Sequence, residues 1–192
     1  GLTNNFIKKV YQDWEGNYWI ATYGNGLAFS VDEAFTINYQ DIDALNKNVL
    51  SIAENNKFLW LGGDQVIIQI DKETNKYKVL NNKDGLPGDK VIALYIDEKD
   101  DLWIGLEKNG IYKLKSGTER VSNFYQSDNS LGNSINAITG VNDLVYVATQ
   151  NGVLVFDQKT SETTLYNTSK GLPHNDIKSV FIDSEYNAWV AT

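Results

Sequence analysis

The chain has 192 residues, 42% of them hydrophobic and 12% aromatic, enough to bury a core and too apolar for a disordered polypeptide. A formal net charge of -8 and a single arginine, Arg120, exclude the clustered cations that a phosphate backbone requires, so no nucleic acid is expected to bind this segment. The lack of cysteine removes disulfides, thiolate chemistry and Cys-rich zinc sites, and no apolar run reaches membrane-spanning length, so no membrane insertion is expected.

From the N-terminus, the first strand-like segment is IKKVYQD at Ile7–Asp13, joined by a short polar turn to YWIAT at Tyr18–Thr22. The same pair returns as VLSIAEN with LWLGG, VIALYID with LWIGL, INAITGV with VYVAT, and IKSVFID with AWVAT. Trp19, Trp60, Trp103, Tyr146 and Trp189 therefore recur every 41 to 43 residues. A second anchor, Leu2, Leu45, Leu86, Leu131 and Leu172, keeps the same phase 15 or 17 residues ahead of them. Copies one, three and five open with GLTNN, GLPGDK and GLPHND, whereas copies two and four open with ALNKN and SLGNS and lack one residue in the opening loop and one in the first hairpin.

The fullest copy, Leu131 to Gly171, divides into four short strands, Ile135–Gly140, Val145–Thr149, Val153–Asp157 and Thr163–Tyr166. Asn142 and Asp143, then Gln150, Asn151 and Gly152, then the QKTSE stretch supply turns between adjacent antiparallel strands. Apolar residues alternate or run in short blocks, and helical spacing is hard to find. A four-stranded unit of about 43 residues predicts a blade of an all-β propeller. The chain holds four blades and two strands of a fifth, with repeats near 1–43, 44–84, 85–129, 130–170 and 171–192.

In DWEGNYW, Asp13 is placed to bond backbone amides of its own turn, Gly16 and Asn17 tolerate positive φ, and Trp19 follows at the start of an apolar strand. Trp19, Trp60, Trp103 and Trp189 are expected to be mostly buried between adjacent sheets. The turn is also the Asp-box turn of sialidases, but the arginine triad of such enzymes cannot be built from one arginine.

The residues GLPHNDIKSVFIDSEYNAWVAT at Gly171–Thr192 and GLPGDKVIALYIDEKDDLWIGLEKNGIYKL at Gly85–Leu114 resemble the two-component regulator propeller repeat. The resemblance covers essentially the whole chain, with copy two degenerate and Tyr146 replacing Trp in copy four. It implies a piece of a seven-bladed periplasmic or extracellular sensor region from a hybrid two-component system of the Bacteroidetes type. A carbohydrate ligand would be detected there, with kinase and transcriptional output outside these residues. Further blades of the parent chain are the expected partners, and flanks without a neighbouring blade predict self-association of this chain, including a homodimer. A secreted propeller enzyme, such as a polysaccharide or antibiotic lyase or a glycosidase, and a non-catalytic interaction scaffold are the alternatives.

No catalytic constellation, metal site or cofactor is expected. His174 sits in a turn beside Pro173 with no second histidine, and the acidic pairs Asp41 with Asp43 and Asp100 with Asp101 read as solvated turn residues. The GNG at Gly24–Gly26 and the Asn109–Gly110 and Asn151–Gly152 pairs read as hairpin turns, not phosphate cradles. In a four-stranded blade the turn between strands two and three emerges on the same face as the loop into the next blade. Those two sets together give the ligand-binding candidates Tyr23, Asn25, Gln65, Glu107, Lys108, Gln150, His174 and Asn175.

Overall fold

A computed structural model describes residues 5–13, 16–24, 26–31, 34–38, 48–128 and 130–192. Leu2, Leu45, Asp41, Asp43 and Asn25 lie outside them. The strands are β1 (Ile7–Gln12), β2 (Tyr18–Thr22), β3 (Leu27–Val31), β4 (Ala34–Asn38), β5 (Ser51–Glu54), β6 (Phe58–Gly62), β7 (Ile67–Asp71) and β8 (Tyr77–Leu80). They continue as β9 (Val91–Ile96), β10 (Leu102–Leu106), β11 (Ile111–Leu114), β12 (Ser122–Tyr125), β13 (Ile135–Val141), β14 (Leu144–Thr149), β15 (Gly152–Asp157), β16 (Thr163–Tyr166), β17 (Ser179–Ile182) and β18 (Ala188–Ala191). They form four four-stranded antiparallel sheets in chain order and a two-stranded sheet of β17 and β18.

The strands form where β-branched and aromatic residues alternate or cluster, and they stop at residues that accept left-handed backbone. Asn142 (φ 53°) turns β13 into β14, and Gly110 (φ 76°) turns β10 into β11. Small residues follow each aromatic anchor two positions on, as Ala21, Gly62, Gly105, Ala148 and Ala191. Gly105 shows why: a Cβ there would stand 2.5 Å from Ile135 Cγ2, at the start of the following sheet.

The chain divides into two compact units, Gly1–Val91 and Ile92–Thr192. The first is built around Ala21, Leu27, Ile52, Leu61 and Ile68, with Trp19 packed against them. In the second, Trp103, Ile111, Ile135, Val147 and Phe156 form one cluster, and Ala148, Val153, Ile177 and Val180 form another.

Short 3-10 turns at Asn82–Asp84, Ser130–Asn133 and Thr168–Lys170 occupy the opening loops, where the sequence showed no helical spacing because three or four residues carry no period. They explain the GLP openings. Asn81 caps one turn by accepting from Lys83 N at 3.0 Å, Asp84 accepts from Asn81 N at 3.0 Å, and Gly85 closes it with φ 93°. Asn167 and Gly171 repeat the device. Leu86 N and Leu172 N then donate to Asn81 O and Asn167 O, and Leu86 is buried.

The anchor turn does more than expected. Asp13, Asp97 and Asp183 each accept from turn amides with Oδ1 and from the indole Nε1–H of Trp19, Trp103 or Trp189 with Oδ2, at 2.9, 2.7 and 2.7 Å. Positive φ falls on Gly16, Asp100 and Tyr186, and not on Asn17. Asp101 is also not a solvated partner of Asp100: its side chain is mostly buried and pairs with Lys113 at 2.9 Å. Trp60 and Trp103 are buried at 6% and 0% exposure and Trp19 is partly so, but Trp189 is 63% exposed, contrary to expectation. Its sheet has two strands, so no third strand stands where Lys113 lies beside Trp103.

Candidate functional site

The turn between strands two and three and the loop opening the next blade are stitched together by backbone bonds. In the second unit Gly110 N donates to Asn133 O at 3.0 Å and Ile177 N to Thr149 O at 2.9 Å. In the first, Tyr23 bridges Asn48 and Gln65 N donates to Asp89 O at 3.1 Å. Both loop sets therefore share one face within each unit.

On that face of the second unit, Gln150, Asn151, Thr168, His174, Asn175 and Asp176 line a recess of ≈ 420 Å³. Three of the candidates thus come together. Thr149 fixes the turn, since its Oγ1 donates to Gly152 O at 2.9 Å and accepts from Asn151 N at 3.0 Å. Asn175 Oδ1 accepts from Thr168 N at 2.8 Å, tying the opening loop to the 3-10 turn. His174 Nδ1 accepts from Asp176 N at 3.0 Å, which leaves the proton of the neutral ring on Nε2.

Asp176 Oδ2 accepts from Lys178 Nζ at 2.6 Å, while its Oδ1 is buried with no hydrogen-bond partner among the described residues. The side-chain amides of Gln150 and Asn151 likewise make no hydrogen bond there. The recess presents amide donors and acceptors, an imidazole and a carboxylate, which suits a polar ligand with several hydroxyls. Among the described residues no group of three or more His, Asp or Glu could hold a metal ion.

The remaining candidates of the second unit, Glu107 and Lys108, do not line this recess. Glu107 and Lys108 pair at 3.8 Å on the β10–β11 turn. Tyr23, half-exposed with Lys8 Nζ 5.3 Å from its ring centre, and Gln65, exposed at φ 62°, occupy the corresponding turns of the first unit. Asn151, which the sequence marks as a turn residue and not as a ligand-binding candidate, joins Gln150, His174 and Asn175 in the recess, as do Thr168 and Asp176. The NTSKGLPHND run held the signal, because its capped turn folds Thr168 back onto Asn175.

Meandering four-stranded sheets in a 43-residue repeat, with two loop sets on one face, define an all-β propeller built from blades. Residues 85–108, the opening loop and first two strands of the third blade, match the two-component regulator propeller repeat. The chain is similar to the extracellular domain of the hybrid two-component system BT3049 from B. thetaiotaomicron, with 21% identity and a TM-score of 0.79, covering 100% of this chain and 26% of that one. The extracellular domain of BT4673 from the same organism matches with 20% identity and a TM-score of 0.77 over 99% of this chain and 26% of that one. PorZ, a surface component of the type-IX secretion system of Porphyromonas gingivalis, matches with 15% identity and a TM-score of 0.67 over 92% and 29%. The chain spans between 26% and 29% of the length of these structures, and likeness at such identities establishes the fold. Among curated proteins no sequence matches this one. Among the described residues no helix is long and apolar enough to cross a membrane.

Proposed function

We propose that this chain is part of the ligand-sensing input region of a two-component system, working on the periplasmic or extracellular side. Further blades, a kinase and a transcriptional output lie elsewhere in the parent protein. The recess around Gln150, His174 and Asn175 receives a small extracellular carbohydrate and reads it by hydrogen bonding without chemistry. The observation that carries this reading is the convergence of side-chain amides without a protein partner among the described residues and the buried, unpartnered Asp176 Oδ1 on the loop face of a propeller that carries the two-component regulator repeat. His174 has no second histidine, and the chain's only arginine is Arg120, which does not line the recess.

Isothermal titration with a panel of neutral and acidic oligosaccharides tests this. At least one sugar should bind and be recovered intact, with Gln150→Ala and Asn175→Ala each weakening it tenfold or more. Turnover of the sugar would favour the enzyme alternative, and no sugar bound, or binding indifferent to both substitutions, would remove the recess as the site.

A further inference from the structure

At the strand ends opposite the recess, the turns between β11 and β12 and between β15 and β16 of the second unit enclose a cleft of ≈ 670 Å³. Its floor is aromatic. Phe124 on β12 is 44% exposed, yet its ring stands 4.5 Å from that of Trp103 at 66° and 5.3 Å from that of Phe156 at 76°. Both supporting rings are buried, so Phe124 is a platform held from beneath.

The rim divides into used and unused groups. Lys113 Nζ is committed, lying 2.9 Å from Asp101, 3.3 Å from Asp97 and 3.2 Å from Gln158, and 4.3 Å from the centre of the Trp103 ring. Lys115, Asn123 and Glu162 also line the cleft, and among the described residues no side chain of the three makes a hydrogen bond or ion pair. A donor, an amide that both donates and accepts, and an acceptor thus share the cleft with one part-exposed ring.

We propose that this cleft is a second saccharide-binding site, separate from the loop-face recess. A sugar ring offers an apolar CH face to Phe124 and hydroxyls that each donate and accept, matching Lys115, Asn123 and Glu162. The volume lies within the range of small-ligand sites. A ligand of strong net charge would meet the wrong sign, at Lys115 if cationic and at Glu162 if anionic.

The test is an array of immobilised plant and animal oligosaccharides probed with the 192-residue chain, followed by titration of each sugar that binds. At least one should lose tenfold or more affinity in Phe124→Ala and in Glu162→Ala, while Gln150→Ala leaves that sugar unaffected. Its titration should also change the emission of Trp103, whose ring touches Phe124. Because Phe124→Ala removes packing from Trp103, Asn123→Ala and Glu162→Ala, both at surface positions, serve as variants whose melting should not change. No sugar sensitive to these substitutions would overturn the proposal. So would sensitivity confined to Gln150→Ala, which leaves the recess reading standing, or Phe124-dependent capture of extended peptides and of no glycan.

Discussion

Trp103 and Trp189 share one local structure and have opposite environments. Each follows a tight turn by six residues from an aspartate, and each donates its indole N–H to that aspartate at 2.7 Å. Trp103 is nevertheless 0% exposed and Trp189 63%. Around Trp103 stand Lys113 on the third strand, Phe124 on the fourth and Phe156 in the following sheet, whereas the sheet of Trp189 has two strands. The aspartate turn therefore aims the indole, and neighbouring strands bury it. A repeat unit cannot finish its own core; the blade beside it does.

The widest separation should come from truncating the two indoles. Trp103→Ala is expected to cost about 3 to 5 kcal/mol, and Trp189→Ala in this chain about 1 kcal/mol or less, as read from urea unfolding midpoints. Equal losses at the two positions would mean that the turn, and not the neighbours, carries the energy.

Next comes the carboxylate beneath Trp103. Burial pushes the Asp97 carboxyl up, but the Trp103 indole, the Asp101 amide and the Lys113 ammonium outweigh it and hold the group below the usual range. Its folded pKa is depressed, so its contribution is present above the unfolded value near ~4 and is lost as pH falls through the lower folded value. Asp97→Asn should cost about 2 to 3 kcal/mol at pH 7 and flatten the acid side of the stability profile. An unchanged acid limb would contradict that assignment. The Asp183 carboxyl is pulled down to about 2, chiefly by the Trp189 indole and then by the Asn187 amide. Since that turn is exposed, Asp183→Asn should lower the melting temperature less than Asp97→Asn does.

A smaller effect concerns blade spacing. Gly105→Val drives a branched side chain into Ile135 and should cost about 1 to 3 kcal/mol. Ala191→Val, on the exposed strand β18, should be nearly neutral by the same unfolding measurement.

The comparison also marks how far the sequence could be read. The strands of the fullest repeat differ from expectation by one residue at most at any end, because alternation and turn residues are local properties. The aspartate turn was visible too, but its bond to the indole was not, since a six-residue reach depends on the backbone path between. In blade two, whose hairpin is one residue shorter, Asn55 takes the aspartate's place, its Oδ1 accepting from Lys57 N at 3.0 Å and Phe58 N at 2.8 Å; Trp60 Nε1 is left buried without a partner among the described residues, and the neighbouring Glu54 accepts from Tyr11 at 3.3 Å and Lys72 at 2.7 Å. Burial then pushes the Tyr11 hydroxyl up, helped by the Glu54 charge. Of the residues lining the recess, Gln150, His174 and Asn175 are legible in the sequence from which loops share a face. Thr168 and Asp176 required the capped 3-10 turn, which leaves no periodic trace.

The most direct test of the recess is amide and side-chain chemical-shift mapping of the 192-residue chain against a carbohydrate whose binding Gln150→Ala weakens. The recess account predicts perturbations centred on Gln150, Asn151, Thr168 and Asn175, with movement of the His174 ring resonances. Perturbations that spare all of these while a carbohydrate is bound would contradict it.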